Sequence, residues 1–114
     1  MKVEYHAQWF EDNSDSIKDW FNPEIFDWEW SYYLAQFCSS DFMLWWDTSK
    51  YNWDRSYNLA QFCNKDFKLW FDPDKFNWFY KYWLVEYSMS NIDIWYDSSH
   101  FLESYEELLL MSIK

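Results

Sequence analysis

The chain has no glycine, two prolines, two cysteines and only nine lysines and arginines in 114 residues. Without glycine, neither a P-loop nor a dinucleotide-binding loop can be written, nor a Gly-turn hairpin array of the choline-binding kind. Two cysteines are too few for a disulfide scaffold. No stretch approaches the roughly 18 apolar residues of a membrane-spanning helix, and Met1-Lys2-Val3-Glu4-Tyr5-His6 lacks the apolar run of a signal peptide. A soluble cytoplasmic protein is the expectation. Cations are scarce beside twenty Asp and Glu, and the net charge of −11 repels phosphate backbones and anionic lipid. Direct nucleic-acid binding and membrane binding are therefore not expected. The carboxylates run from Glu4 to Glu107 without a like-charge block, so they belong to a folded surface and not to an acidic tail.

What is abundant is aromatic: 11 Trp, 10 Tyr and 11 Phe, or 28% of the chain. Half of the residues are apolar, enough buried surface to offset the entropy of ordering, and the length suits one domain.

The aromatics recur. An offset of 25 residues superposes 16–40, 41–65, 66–90 and 91–114 without a gap, leaving 1–15 as an N-terminal cap. Trp20, Trp45, Trp70 and Trp95 form one column, Leu34, Leu59, Leu84 and Leu109 another, and Phe26, Tyr51, Phe76 and Phe101 a third. Trp28, Trp53 and Trp78 form a fourth, broken by Glu103. Asn22, Asp47, Asp72 and Asp97 precede Pro23, Thr48, Pro73 and Ser98.

Within a unit the spacing is helical. Trp78, Tyr82 and Val85 recur at steps of four and three behind Asn77, so a longer helix is expected over Trp78–Tyr87, with Asp27, Asn52 and Asn77 as N-caps. A shorter helix is expected in segments such as Phe42–Trp46, capped by Asp41 or Asp66, and a brief helical turn over Pro73–Phe76, capped by Asp72. A strand is the alternative for Phe67–Trp70. Ser31, Ala35 and Cys38, and then Ser56, Ala60 and Cys63, make small-residue stripes where a neighbour approaches closely. Units this small cannot close a core alone, so the expected fold is all-α: a compact single-domain α-solenoid of four repeats, each short helix, Asp-Pro type turn and longer helix. The last repeat, with Leu108-Leu109-Leu110-Met111 and Glu103, Glu106 and Glu107, fits an end cap. Residues 3–10 fit a helix, since Ala7-Gln8-Trp9-Phe10 echoes Ala35-Gln36-Phe37-Cys38, or a strand with Val3, Tyr5, Ala7 and Trp9 inward.

Candidate chemistry is sparse. His6 and His100 stand at opposite ends of the array, which disfavours a Cys–His nucleophile, and His100 shares a solvated turn column with Ile25, Lys50 and Lys75. Helices one repeat apart lie about 8–10 Å apart, beyond the roughly 7 Å limit for bridging Cys38 and Cys63, so both read as buried small hydrophobes. The column Asp47, Asp72 and Asp97 suits turn capping, and could equally present a ladder of charge imitating phosphates. The Trp columns suit a packed spine better than a stacking platform. One departure from the repeat stands out. The outer helix face reads Glu29, Tyr33, Gln36, then Asp54, Asn58, Gln61, then Phe79, Trp83, Glu86, which puts two aromatics on a face expected to be wet.

No catalytic group, cofactor or metal is expected. A protein-binding module remains, in two versions. One is an acidic inhibitor of the phage anti-defence type, a decoy entering another protein's basic nucleic-acid groove with Glu29, Asp47, Asp54, Asp72, Asp74 and Asp97. The other is a structural adaptor, or a homodimer, using Phe79 and Trp83. The charge favours the first and the aromatic excess the second.

Overall fold

The computed structural model describes residues 6–97 and 99–101, and all regular structure among them is helical. The helices are α1 (Ala7–Asn13), α2 (Ile17–Trp20), α3 (Ser31–Phe37), α4 (Phe42–Trp45), α5 (Tyr57–Phe62), α6 (Phe67–Trp70), α7 (Lys81–Tyr87) and α8 (Ile92–Trp95). Phe67–Trp70 is thus helix and not strand, and so is the N-terminal segment from Ala7. The alternation at Val3 and Tyr5 and the aliphatic end cap, with Glu103 and Leu109, lie outside the described residues. No described helix is long and apolar enough to cross a membrane.

Each longer helix passes through a 3₁₀ turn, such as Ser39–Asp41 or Asn64–Asp66, straight into a short helix. Asp41 and Asp66 stand where the short helices begin, but neither side chain caps, contrary to expectation. These helices do not start afresh at Asp41 and Asp66 but continue the 3₁₀ turns before them, whose Ser39 and Asn64 carbonyls accept the N–H groups of Phe42 and Phe67. A second correction concerns the longer helices after α1, which do not begin as α-helix. Trp78–Tyr80 is 3₁₀, closed by the Lys81 N–H on the Trp78 carbonyl, and α-geometry starts at Lys81. The same order holds at Trp28–Trp30 before α3.

The helix ends show how a chain without glycine terminates them. A left-handed residue is the usual device, yet no described residue has positive φ. The longer helices end instead on Cys38 (φ −122°, ψ 28°), Cys63 (φ −117°, ψ 35°) and Ser88 (φ −124°, ψ 25°). Each of their carbonyls then accepts an indole N–H seven residues on: Trp45 to Cys38 at 2.8 Å, Trp70 to Cys63 at 2.9 Å and Trp95 to Ser88 at 2.8 Å. Trp20 does the same to Asn13 at 2.8 Å. These tryptophans therefore terminate helices, and each joins a longer helix to the short helix after it.

The chain forms two compact units, Met1–Asn52 and Trp53–Lys114, divided inside the second sequence repeat. In the first unit α1 packs on α3, around Phe10, Leu34, Phe42 and Trp45. In the second, α5 packs on α7, around Leu59, Trp70, Phe76 and Leu84. Fully burying one such side chain contributes about 1.5–3 kcal/mol. The small-residue stripes are buried as expected, and their serines also accept hydrogen bonds. Ser31 Oγ accepts the Asn52 N–H and Ser56 Oγ the Asn77 N–H, both at 2.8 Å.

Candidate functional site

The acidic candidates sit on turns and 3₁₀ starts, and none of the described carboxylates is buried. Asp47, Asp72 and Asp97 each fold a turn onto themselves, accepting the N–H of Ser49 (2.9 Å), Asp74 (2.9 Å) and Ser99 (2.8 Å) at Oδ1. The Ser49 hydroxyl also donates to Asp47, which with that N–H holds its carboxyl below the ordinary value. Asp97 is lowered in the same way by the Ser99 N–H and hydroxyl, with a smaller contribution from His100, whose Nε2 is 4.0 Å from its Oδ2. Both are anionic at neutral pH.

Side-chain amides bring these positions together within each unit. Asn52 Nδ2 donates to the Glu29 carbonyl at 3.0 Å, so the turn that starts at Asp47 closes beside Glu29. In the second unit Asn77 Nδ2 donates to the Asp54 carbonyl at 3.0 Å, which places the turn of Asp72 and Asp74 beside Asp54. Asn77 is also the expected N-cap, accepting the Phe79 N–H at 3.2 Å, as Asp27 accepts that of Glu29. The amide's second role was not anticipated; the signal was Asn at 52 and 77 where the first unit has Asp27.

The aromatic pair does not form one exposed face. Phe79 is 84% exposed, but Trp83 is half-buried, packed on Tyr57 (ring centroids 5.3 Å) and Tyr80 (5.4 Å). Its column mates behave alike: Asn58 is buried, and Tyr33 lies against Phe10 at 5.1 Å. The reason is the 3₁₀ start. Rings at 78, 79 and 80 leave the axis at about 120° per residue, not about 100°, so a step of four from Phe79 no longer returns to its own face. Tyr57 and Tyr80, 4.3 Å apart, complete a cluster that sequence reasoning missed, although Tyr32, Tyr57 and Tyr82 share a column in the first three repeats. Arg55 Nη1 donates to the Tyr57 hydroxyl at 3.2 Å.

Cys38 and Cys63 are buried and form no disulfide, and burial pushes both thiols up to about 12, with nearby Asp41 and Asp66 adding to it. Neither is a nucleophile at neutral pH. His6 Nδ1 caps α1 by accepting the Trp9 N–H. His100 stacks on Trp78 (3.9 Å, 4°), much as Lys50 lies over Trp28 two repeats earlier. No group of three or more His, Cys, Asp or Glu gathers at metal-binding range among the described residues. Comparison with protein-family models, with curated proteins and with solved structures returned no match.

Proposed function

We propose that the chain is a non-enzymatic protein-binding module, an acidic decoy that occupies the basic nucleic-acid groove of another protein. The observation behind this reading is the separation of charge from core. With a net charge of −11, the described carboxylates all reach solvent while Trp45, Trp70 and Trp95 are buried. Asp47 and Asp97 are held ionised by their own turns, and Glu29 and Asp54 project from equivalent 3₁₀ starts 25 residues apart. In this reading four repeats stack as a solenoid, which would present the carboxylates at a regular interval, as a phosphate backbone does. The partner is a protein that handles nucleic acid.

Steered association of this kind is fast and falls with salt, as the Debye length shrinks from about 10 Å at 0.1 M to about 3 Å at 1 M. The test is a pull-down at low and high salt, followed by competition between the chain and DNA or RNA for the captured protein. Glu29→Gln, Asp54→Asn and Asp74→Asn together remove charge without touching a hydrogen bond that the fold uses. The triple variant should melt as the wild type does, compete less well with nucleic acid and show a flatter salt dependence. Capture of a partner whose binding ignores both salt and these substitutions removes the decoy reading.

The second reading, an adaptor or homodimer, draws on the 84% exposure of Phe79. Replacing Phe79 by Glu, the residue type of the first unit, should then abolish self-association or partner capture without lowering the melting temperature.

A further inference from the structure

We propose that the ring cluster of Tyr57, Tyr80, Trp83 and Phe79 is a docking surface for arginine side chains of the partner. This deepens the decoy reading and rests on it. Carboxylates alone attract any cation, so a surface of that kind would not tell arginine from lysine. The cluster adds what they lack. Three rings hold one another at centroid distances of 4.3 Å (Tyr57–Tyr80), 5.3 Å (Tyr57–Trp83) and 5.4 Å (Tyr80–Trp83). Phe79 stands edge-on to Tyr80 at 5.1 Å with 84% of its surface in water. Leaving so large an apolar ring exposed gains the fold nothing, and the equivalent positions hold Glu29 and Asp54.

Charge complementarity selects a cationic occupant. Asp54 lies beside the start of this segment, through the bond from Asn77 Nδ2 to its carbonyl, and its side chain is exposed. Glu86, three residues beyond Trp83 on α7, is exposed as well. Arginine is favoured over lysine because a planar, weakly hydrated guanidinium stacks on aromatic faces, whereas an ammonium holds its water. The chain's own Arg55 guanidinium donates to the Tyr57 hydroxyl at the edge of the cluster, which leaves the ring faces to the partner.

The experiment titrates the full chain with fluorescent oligoarginine and oligolysine peptides of equal length, at low and high salt. Wild type should bind oligoarginine more tightly, by about fivefold, the factor expected of one exposed cation–π contact. Phe79→Ala should bring the two peptides to parity by weakening oligoarginine alone, and Phe79→Trp should restore the preference. Removing charge at Glu29, Asp54 and Asp74 should weaken both peptides together. Equal affinity for the two peptides in wild type, or a Phe79→Ala variant that weakens both or neither, overturns the docking surface and leaves the decoy reading standing. Failure to bind either peptide at low salt overturns both. Thermal melting of each variant guards against misfolding, which so exposed a side chain should not cause.

Discussion

Tryptophan is used in two ways in this chain, and single substitutions separate them. Trp70 is buried and its indole N–H is bonded to the Cys63 carbonyl, whereas Trp78 is half-buried and donates to the Pro73 carbonyl at 2.9 Å. Trp70→Phe should cost about 1–2 kcal/mol, from a lost hydrogen bond and an underfilled core, and Trp78→Phe about 0.5 kcal/mol, both read from urea unfolding. The cysteines give a pH prediction. Their folded pKa of about 12 lies above the ordinary 9.0, so the unfolded chain loses these protons first. Their contribution is complete below about pH 9 and is lost as pH rises from there towards 12. A Cys38→Ala, Cys63→Ala variant should therefore lose less stability than wild type over that range, with the shared tyrosine titration cancelling. Much at this scale was legible beforehand: Trp45, Trp70 and Trp95, Leu34, Leu59 and Leu84, and the Phe/Tyr column are core, and the Asp column is turn. The burial of Asn58 and the half-burial of Trp83 were not, because periodicity assumes a single helical pitch and these residues follow a change of pitch.

Between elements, the connections are side-chain hydrogen bonds that no propensity scale encodes. Asn77 makes three: its N–H to Ser56 Oγ, its Oδ1 from the Phe79 N–H and its Nδ2 to the Asp54 carbonyl. Asn77→Ala should cost about 2 kcal/mol, from a lost cap and a lost amide bond. Asn77→Asp keeps the cap and loses the donor, so it should recover only part. A variant as stable as wild type would show the amide bond to be worth nothing. The third repeat departs from this scheme. Lys81 replaces the serine of positions 31 and 56, and its Nζ reaches the His100 carbonyl at 2.8 Å while lying 5.3 Å from the Tyr82 and Phe101 ring centroids. Helix type was readable from spacing, and the 3₁₀ starts were not, since rings at 28, 53 and 78 satisfy either pitch locally. The N-terminal segment was ambiguous because alternating and helical patterns coincide over Ala7–Phe10; the His6 cap on Trp9 favours the helix.

For the whole molecule, the proposed stacking of repeats predicts that removal of residues 66–90, one complete period, leaves a helical protein that unfolds cooperatively, because the rejoined neighbours carry matching faces. Circular dichroism and a single sharp thermal transition check it, and a molten product counts against stacking. The sequence period could be read at once, but not where the chain divides. The indole bonds join a longer helix to the short helix after it, so the natural cut precedes a longer helix, near the boundary at Asn52 and Trp53. Those same bonds make the chain its own stopwatch. Indole protons trade with deuterium only when their partner lets go, so the Nε1 protons of Trp45, Trp70 and Trp95 time the opening of successive segments, in one spectrum and without a label. Equal lifetimes would mean that the molecule opens as one body, whereas a shorter lifetime for Trp45 than for Trp70 and Trp95 would mean that the first unit lets go before the second.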